Sequence, residues 1–206
     1  MRLEIPLVIL AGGRAERMGF PKGLIDVGGE TLLEQQLRRY REAGGQRAVV
    51  VLGEHAEVYR SRLPELLSIG VLNPEPWTGP FGSLQIGLAA VGVRLDVGGR
   101  GEERRFRGVF VQPVDVPPPQ PSTYRALAAA LGDGADVSRP RHGGKHGHPV
   151  LLSRVFASRL LGEDRHGSEA RLDRQIRALP AERVASVEVD DEAVLGNWNE
   201  LGDVSR

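Results

Sequence analysis

The residues best suited to chemistry follow a short apolar run. Leu7-Val8-Ile9-Leu10 opens into Ala11-Gly12-Gly13-Arg14-Ala15-Glu16-Arg17-Met18-Gly19-Phe20-Pro21-Lys22. A strand that empties into a glycine-rich, basic loop is suited to holding phosphates. Gly12 and Gly13 let backbone N–H groups turn toward a ligand, and Arg14, Arg17 and Lys22 supply countercharge. The loop is not a Walker A loop, because no Gly-Lys-Ser/Thr follows four residues after a glycine, and it lacks the Gly-x-Gly-x-x-Gly spacing of a dinucleotide fold. The competing reading is a glycine-rich turn with exposed arginines.

Three more clusters stand just after expected strands, where open α/β sheets bind ligands. In Asn73-Pro74-Glu75-Pro76-Trp77-Thr78-Gly79-Pro80-Phe81-Gly82-Ser83-Leu84, Asn73 and Ser83 suit a base edge, and Gly79 and Gly82 permit close backbone approach. Ser83 equally suits a helix cap, and Trp77 is expected to pack rather than stack. In Gln112-Pro113-Val114-Asp115-Val116-Pro117-Pro118, Asp115 is a hard ligand suited to magnesium bridging nucleotide phosphates, or a turn former among prolines. In Leu195-Gly196-Asn197-Trp198-Asn199, the amide oxygens of Asn197 and Asn199 suit the same cation or cap turns. The spacing of His142, His146 and His148 suggests a metal site, but Lys145 and the intervening glycines favour a flexible ligand-binding loop.

These residues need a scaffold of alternating strands and helices. Residues 5–10 and 48–52 read as strands covered on both faces. Between them Thr31-Leu32-Leu33-Glu34 is a capping box, and Leu33, Leu37 and Tyr40 share one helix face until Gly44-Gly45 stops it. The alternation continues with a helix at 56–66, a strand at 68–72, a helix from about Ser83 to Val91 and a strand at 108–111. Helices are expected near Ser153 and Ser168, and a late strand at 184–189. Such alternation predicts an α/β fold with a single doubly wound, mostly parallel sheet and helices on both faces. Residues 92–107, of mixed charge, read as a solvated loop.

At 206 residues the chain suits one domain, with residues 1–112 mainly nucleotide-binding and 113–206 mainly metal- and acceptor-binding. Its charges cancel to a formal net of +0, so no global basic field draws it to nucleic acid or an anionic membrane. With Cys 0, disulfides, thiol nucleophiles and cysteine-ligated zinc are excluded. The apolar runs are of strand length and the start is unlike a signal peptide, so the cytoplasm is the expected compartment.

Taken together, the clusters resemble the nucleotidyltransferases of molybdenum cofactor biosynthesis. The opening loop is similar to their Leu-Ala-(Ala/Gly)-Gly-x-x-x-Arg-Met-Gly-x-x-Lys signature, matched by Leu10, Ala11, Gly12, Gly13, Arg17, Met18, Gly19 and Lys22, and continued by residues 28–33. The pattern of residues 73–84, Asp115 and Gly147-His148-Pro149-Val150-Leu151 look most like the cytidylyltransferase branch. Gly12 is instead typical of the guanylyltransferase branch. The late segment also departs from the family: Asn197-Trp198-Asn199 keeps its amide version, but the Thr-Pro that usually follows is absent. Neutral amides attract magnesium less than carboxylates do.

The resemblance implies a Rossmann-like, magnesium-dependent enzyme that moves NMP from CTP or GTP to a phosphorylated acceptor of molybdopterin type and releases pyrophosphate. It implies that Leu10 to Gly13, Arg14, Arg17 and Lys22 hold the triphosphate, while Asn73, Gly79 and Ser83 face the base. Lys22, Arg17 and Asp115 would then be catalytic, with Asp115, Asn199 and Asn197 holding the metal. Lys145, His146, Gly147 and His148 would face the acceptor. A molybdoenzyme is the implied partner. The alternatives are a sugar phosphate or other small phosphate ester as acceptor, and a catalytically weak module that binds nucleotide or delivers cofactor.

Overall fold

The computed structural model describes residues 2–13, 20–93, 106–132 and 134–198. The first half alternates as the sequence predicts: β1 (Leu7–Ala11), α1 (Leu32–Glu42), β2 (Ala48–Leu52), α2 (Ala56–Arg62), α3 (Leu66–Ile69), β3 (Gly70–Leu72), α4 (Gly79–Ala90) and β4 (Gly108–Pro113). The second half adds α5 (Pro121–Ala130), β5 (Val137–His142), β6 (Lys145–His146), β7 (Val150–Ser153), α6 (Arg154–Leu161), α7 (Leu172–Arg177) and β8 (Val184–Glu188).

The sheet runs β3-β2-β1-β4-β7-β5-β6, with β8 beside β5. The pairs β1–β2, β1–β4, β2–β3 and β5–β8 are parallel, whereas β7 is antiparallel to both β4 and β5, and β6 to β5. All strands except β6 and β7 therefore point the same way, a mostly parallel sheet. The reversal of β7 has a functional result. Val150 pairs with Val111 near the end of β4, so the residues entering β7 lie at the same edge as the residues leaving β1 and β4.

Strand pleating divides the core in two. Leu7, Ile9 and Ala11 face Leu33, Leu37 and Tyr40 of α1, Tyr59 of α2 and Tyr124 of α5. Val8, on the opposite face, joins Phe81, Leu84 and Leu88 of α4 with Phe156 and Leu160 of α6. Tyr40 spans its layer and donates its hydroxyl to the Ile5 carbonyl at 2.7 Å. Helix α1 begins as predicted: Thr31 accepts from the Glu34 N–H, and Glu34 accepts from the Thr31 N–H at 2.8 Å.

Several boundaries differ from expectation. The helix expected to end at residue 66 and the strand expected from 68 give way to α3 over 66–69, leaving β3 only Gly70–Leu72. The fourth helix starts at Gly79, not Ser83, with proline in its first turn, where the missing N–H has no helical partner to lose. The helix near Ser153 starts as expected, with Ser153 capping the Phe156 N–H, but the helix expected near Ser168 begins at Leu172. Of the expected 92–107 loop, residues 94–105 lie outside the described residues. No described helix is long and apolar enough to cross a membrane.

Candidate functional site

The carboxyl ends of β1, β2, β3 and β4 deliver Gly12, Gly53, Asn73 and Asp115 to one edge of the sheet. Gly12 and Gly53 allow the first two loops to touch. A Cβ on Gly53 would come 2.5 Å from the Gly12 carbonyl oxygen, closer than carbon and oxygen can approach. Gly13 is open, with nothing within 4 Å of where its Cβ would stand. Its backbone is therefore accessible to a ligand. Arg14 and Arg17, the cations expected in this loop, lie outside the described residues.

Lys22 is where the loop returns to the sheet. It opens a 3-10 turn, Lys22–Leu24, and its Nζ lies 2.9 Å from Asp115 Oδ2 although the two residues are 93 apart in sequence. Both side chains are partly shielded, at 22% and 25% exposure, so this pair is less screened than a surface ion pair. The turn is fixed by Tyr59, whose hydroxyl oxygen accepts from the Gly23 N–H at 3.0 Å. Burial pushes the Tyr59 phenol up to about 12, with the Asp115 charge adding to the effect, so Tyr59 is neutral at physiological pH. Neither Gly53 nor Tyr59 carries a sequence motif that marks it as part of this site.

Asn73 and Ser83 form the floor beneath the opening loop. Both are buried, and Asn73 Nδ2 donates to Ser83 Oγ at 3.1 Å while Asn73 Oδ1 accepts from the Glu75 N–H at 2.8 Å. Ser83 lies inside α4 and does not cap it. Trp77 does not pack into the core as expected; it is 63% exposed on the 3-10 turn Pro76–Thr78. Gly79, with φ +70, makes the turn from there into α4.

The Gly12 position is coupled to this floor. A Cβ there would lie 3.0 Å from Ser83 Oγ, so an alanine must displace the hydroxyl or strain its buried bond to Asn73. Gly12→Ala is expected to be about 1 kcal/mol less favourable with Ser83 present than in a Ser83→Ala background. Denaturant unfolding of the four members of the cycle measures this, and additive changes would contradict the coupling.

On the other side of Asp115, Gly147 and His148 lead into β7. Gly147 has no substitute, because a Cβ would fall 2.0 Å from the Val194 carbonyl oxygen. His148 donates its backbone N–H to that same carbonyl at 2.9 Å. Its ring Nδ1 is sealed from solvent and has no hydrogen-bond partner among the described residues. Burial pushes the imidazole pKa down, partly opposed by the Asp115 carboxylate. Lys145 and His146 are exposed on β6, opposite His142 and Arg141. His142 is turned away, with Nδ1 2.9 Å from the Val189 carbonyl oxygen.

The segment expected to complete a metal site also arrives here. The Trp198 N–H donates to the Asp115 carbonyl at 2.7 Å, which brings the exposed Asn197 beside the Asp115 loop, while Asn199 lies outside the described residues. Among the described residues no group of three or more His, Cys, Asp or Glu could cage a cation. A single carboxylate supplemented by an amide oxygen fits magnesium, which keeps several waters and takes substrate phosphates as further ligands. Such a donor set does not suit a structural zinc.

The chain matches the model of the MobA-like NTP transferase domain over residues 7–189. A molybdenum cofactor guanylyltransferase of Xanthomonas euvesicatoria is 40% identical over 77 residues, which are 37% of this chain and 35% of that protein. A probable molybdenum cofactor guanylyltransferase of Opitutus terrae is 27% identical over 203 residues, covering 96% of this chain and 92% of that protein. The crystal structure of the Rv0371c protein of Mycobacterium tuberculosis superposes with a TM-score of 0.74 at 24% identity, over 98% of this chain and 96% of that one. That protein has also been crystallised in complex with manganese.

Proposed function

We propose that this chain, which belongs to the MobA-like NTP transferase domain family, is a magnesium-dependent nucleotidyltransferase that moves NMP from CTP or GTP to a molybdopterin-type phosphate. The observation that carries this reading is the Lys22–Asp115 contact at 2.9 Å at the same sheet edge as the open Gly13 backbone. It supports this reading because a cation and a hard carboxylate stand together at the sheet edge from which the glycine-rich loop leaves. The names of the Xanthomonas and Opitutus relatives support the acceptor class.

An acceptor phosphate oxygen attacks the α-phosphorus in line, and the bond from that phosphorus to the bridging oxygen breaks. The electron pair leaves with pyrophosphate, and no covalent enzyme intermediate is required. The work of the protein is alignment and charge neutralisation. Gly12 and Gly13 present backbone N–H groups to the triphosphate, with Arg14, Arg17 and Lys22 as countercharge. Asn73 and Ser83 support the base side through their mutual bond, and Gly79 lets the backbone pass close to the base. Asp115, with Asn197 and Asn199, would hold magnesium, which offsets negative charge on the reacting phosphates when bound. Lys145, His146, Gly147 and His148 face the acceptor, and the delivery of its product implies a molybdoenzyme partner.

CTP and GTP both remain in the proposal. The family resemblance of residues 73–84 and 147–151 is cytidylyl-type, whereas the relatives named above are guanylyltransferases. Gly12 does not favour one base by itself, because its contact with Ser83 already accounts for the missing side chain. The test is pyrophosphate release with CTP, GTP, UTP and ATP, each crossed with molybdopterin and with sugar phosphates. Release with a sugar phosphate alone would move the chain to another acceptor class. Tight cofactor binding without release would make it a delivery module.

A further inference from the structure

Gln36 occupies a position where an apolar residue would ordinarily stand. It lies on the inner stripe of α1 with Leu33, Leu37 and Tyr40, and it is fully buried. Burying an amide there is unfavourable unless it is bonded, and an aliphatic side chain would fill the stripe without that cost. The bonds of its Nε2 converge on a single target, while Oε1 is buried with no partner among the described residues. Gln36 Nε2 lies 3.2 Å from the Pro113 carbonyl oxygen, 3.3 Å from that of Val114 and 2.6 Å from that of Val116. The carbonyl of the remaining residue, Asp115, accepts from the Trp198 N–H at 2.7 Å. The two N–H groups of Gln36, shared among three carbonyls, and the Trp198 N–H on the fourth thus hold four consecutive residues from outside the loop.

The anchor is itself rigid. Helix α1 is fixed at one end by the Thr31–Glu34 capping box and at the other by the Tyr40 hydroxyl bond to Ile5. The Val114 N–H adds a bond to the Leu10 carbonyl at 3.1 Å, which ties the same loop to the end of β1. With its backbone held on all these sides, Asp115 has its side chain as the group left to reach Lys22.

We propose that Gln36 is a positioning residue that sets the direction of the Asp115 carboxylate and thereby the affinity for the divalent cation. The inference rests on the reading of Asp115 as a cation ligand. Supporting groups behind a metal ligand hold it within a fraction of an ångström of its working geometry, and their loss commonly weakens metal binding by about tenfold or more. Without the Gln36 donor, the buried Val114 and Val116 carbonyls lose a partner, as does the partly buried Pro113 carbonyl, which keeps the Val116 N–H at 3.4 Å, and the loop relaxes toward whatever donors it finds.

The test uses the full chain with Mn2+ and CTP or GTP, without acceptor, so that no turnover is involved. Water-proton relaxation reports the ternary protein–Mn2+–nucleotide complex. Gln36→Met keeps the size and removes the donor, and Gln36→Asn keeps an amide that is too short to reach. Each is expected to raise the dissociation constant of the Mn2+–nucleotide complex about tenfold, while binding of metal-free nucleotide in EDTA stays at the parent value. Should Gln36→Met fail to melt cooperatively, Gln36→Asn carries the comparison. A parent-like Mn2+–nucleotide affinity in a folded Gln36 variant overturns the inference. Asp115→Asn in the same titration separates the two levels. If it too binds Mn2+–nucleotide like the parent, the cation reading fails and this inference with it; if it alone weakens binding, only the role of Gln36 fails.

Discussion

Lys22→Ala is expected to lower pyrophosphate release by about 10²–10³-fold, the range found when one preorganised charge-stabilising group is removed from an active site. The expected loss of folding stability is only about 1 kcal/mol or less, because the ion pair with Asp115 retains some solvent access. The asymmetry follows from where the charge is needed. Before nucleotide binds, Lys22 neutralises one carboxylate. In the proposed transfer, negative charge accumulates on the departing pyrophosphate, where a lysine on a turn fixed through Gly23 and Tyr59 would meet it. Turnover and denaturant unfolding measured on the same preparation check both halves. Equal pyrophosphate release by variant and parent would remove Lys22 from the machinery.

Asp115→Ala is expected to abolish magnesium-dependent turnover, a loss of about a thousandfold if the cation contributes ~4 kcal/mol to the barrier. Removing the carboxylate also leaves Lys22 without this partner, so some loss of stability accompanies it. The two effects separate in a magnesium titration. A folded variant whose residual activity no longer responds to magnesium has lost the ligand. A titration curve superimposable on the parent's would leave Asp115 as a turn former among prolines, the other reading of its sequence context.

The elements legible in the sequence share a physical cause. Strands β1, β2 and β4 are continuous apolar runs, because each is buried on both faces, and their carboxyl ends locate Gly12, Gly13 and Asp115 without coordinates. Strand β5 is Val-Ser-Arg-Pro-Arg-His, and its mixed burial leaves no such run. Strand β7 is four residues long and merges with the start of α6, so the antiparallel insertion was not legible. Helix α5 follows a series of prolines and is absent from the expected elements, although a proline opening a helix is itself a start signal. The same signal at Pro80 marks the true start of α4 and places Ser83 within the helix.

The site was legible residue by residue but not as contacts. Lys22 and Asp115 each follow a strand, yet only the fold brings them to 2.9 Å. Asn73 and Ser83 both read as polar groups suited to a base edge, and the structure adds a bond between them that depends on the entry angle of α4. Tyr59 carries no sequence signal. Gln36 does: a glutamine at the i+3 position of an otherwise apolar stripe is an inconsistency that points to a polar partner across the interface.

Whether the chain transfers a nucleotide to molybdopterin is decided by pyrophosphate release from the purified chain with magnesium, molybdopterin, and CTP or GTP. Release that requires all three components, with one of the two nucleotides clearly preferred, is the predicted result. No release with either nucleotide at saturating magnesium and molybdopterin, from protein that binds both ligands, would contradict it.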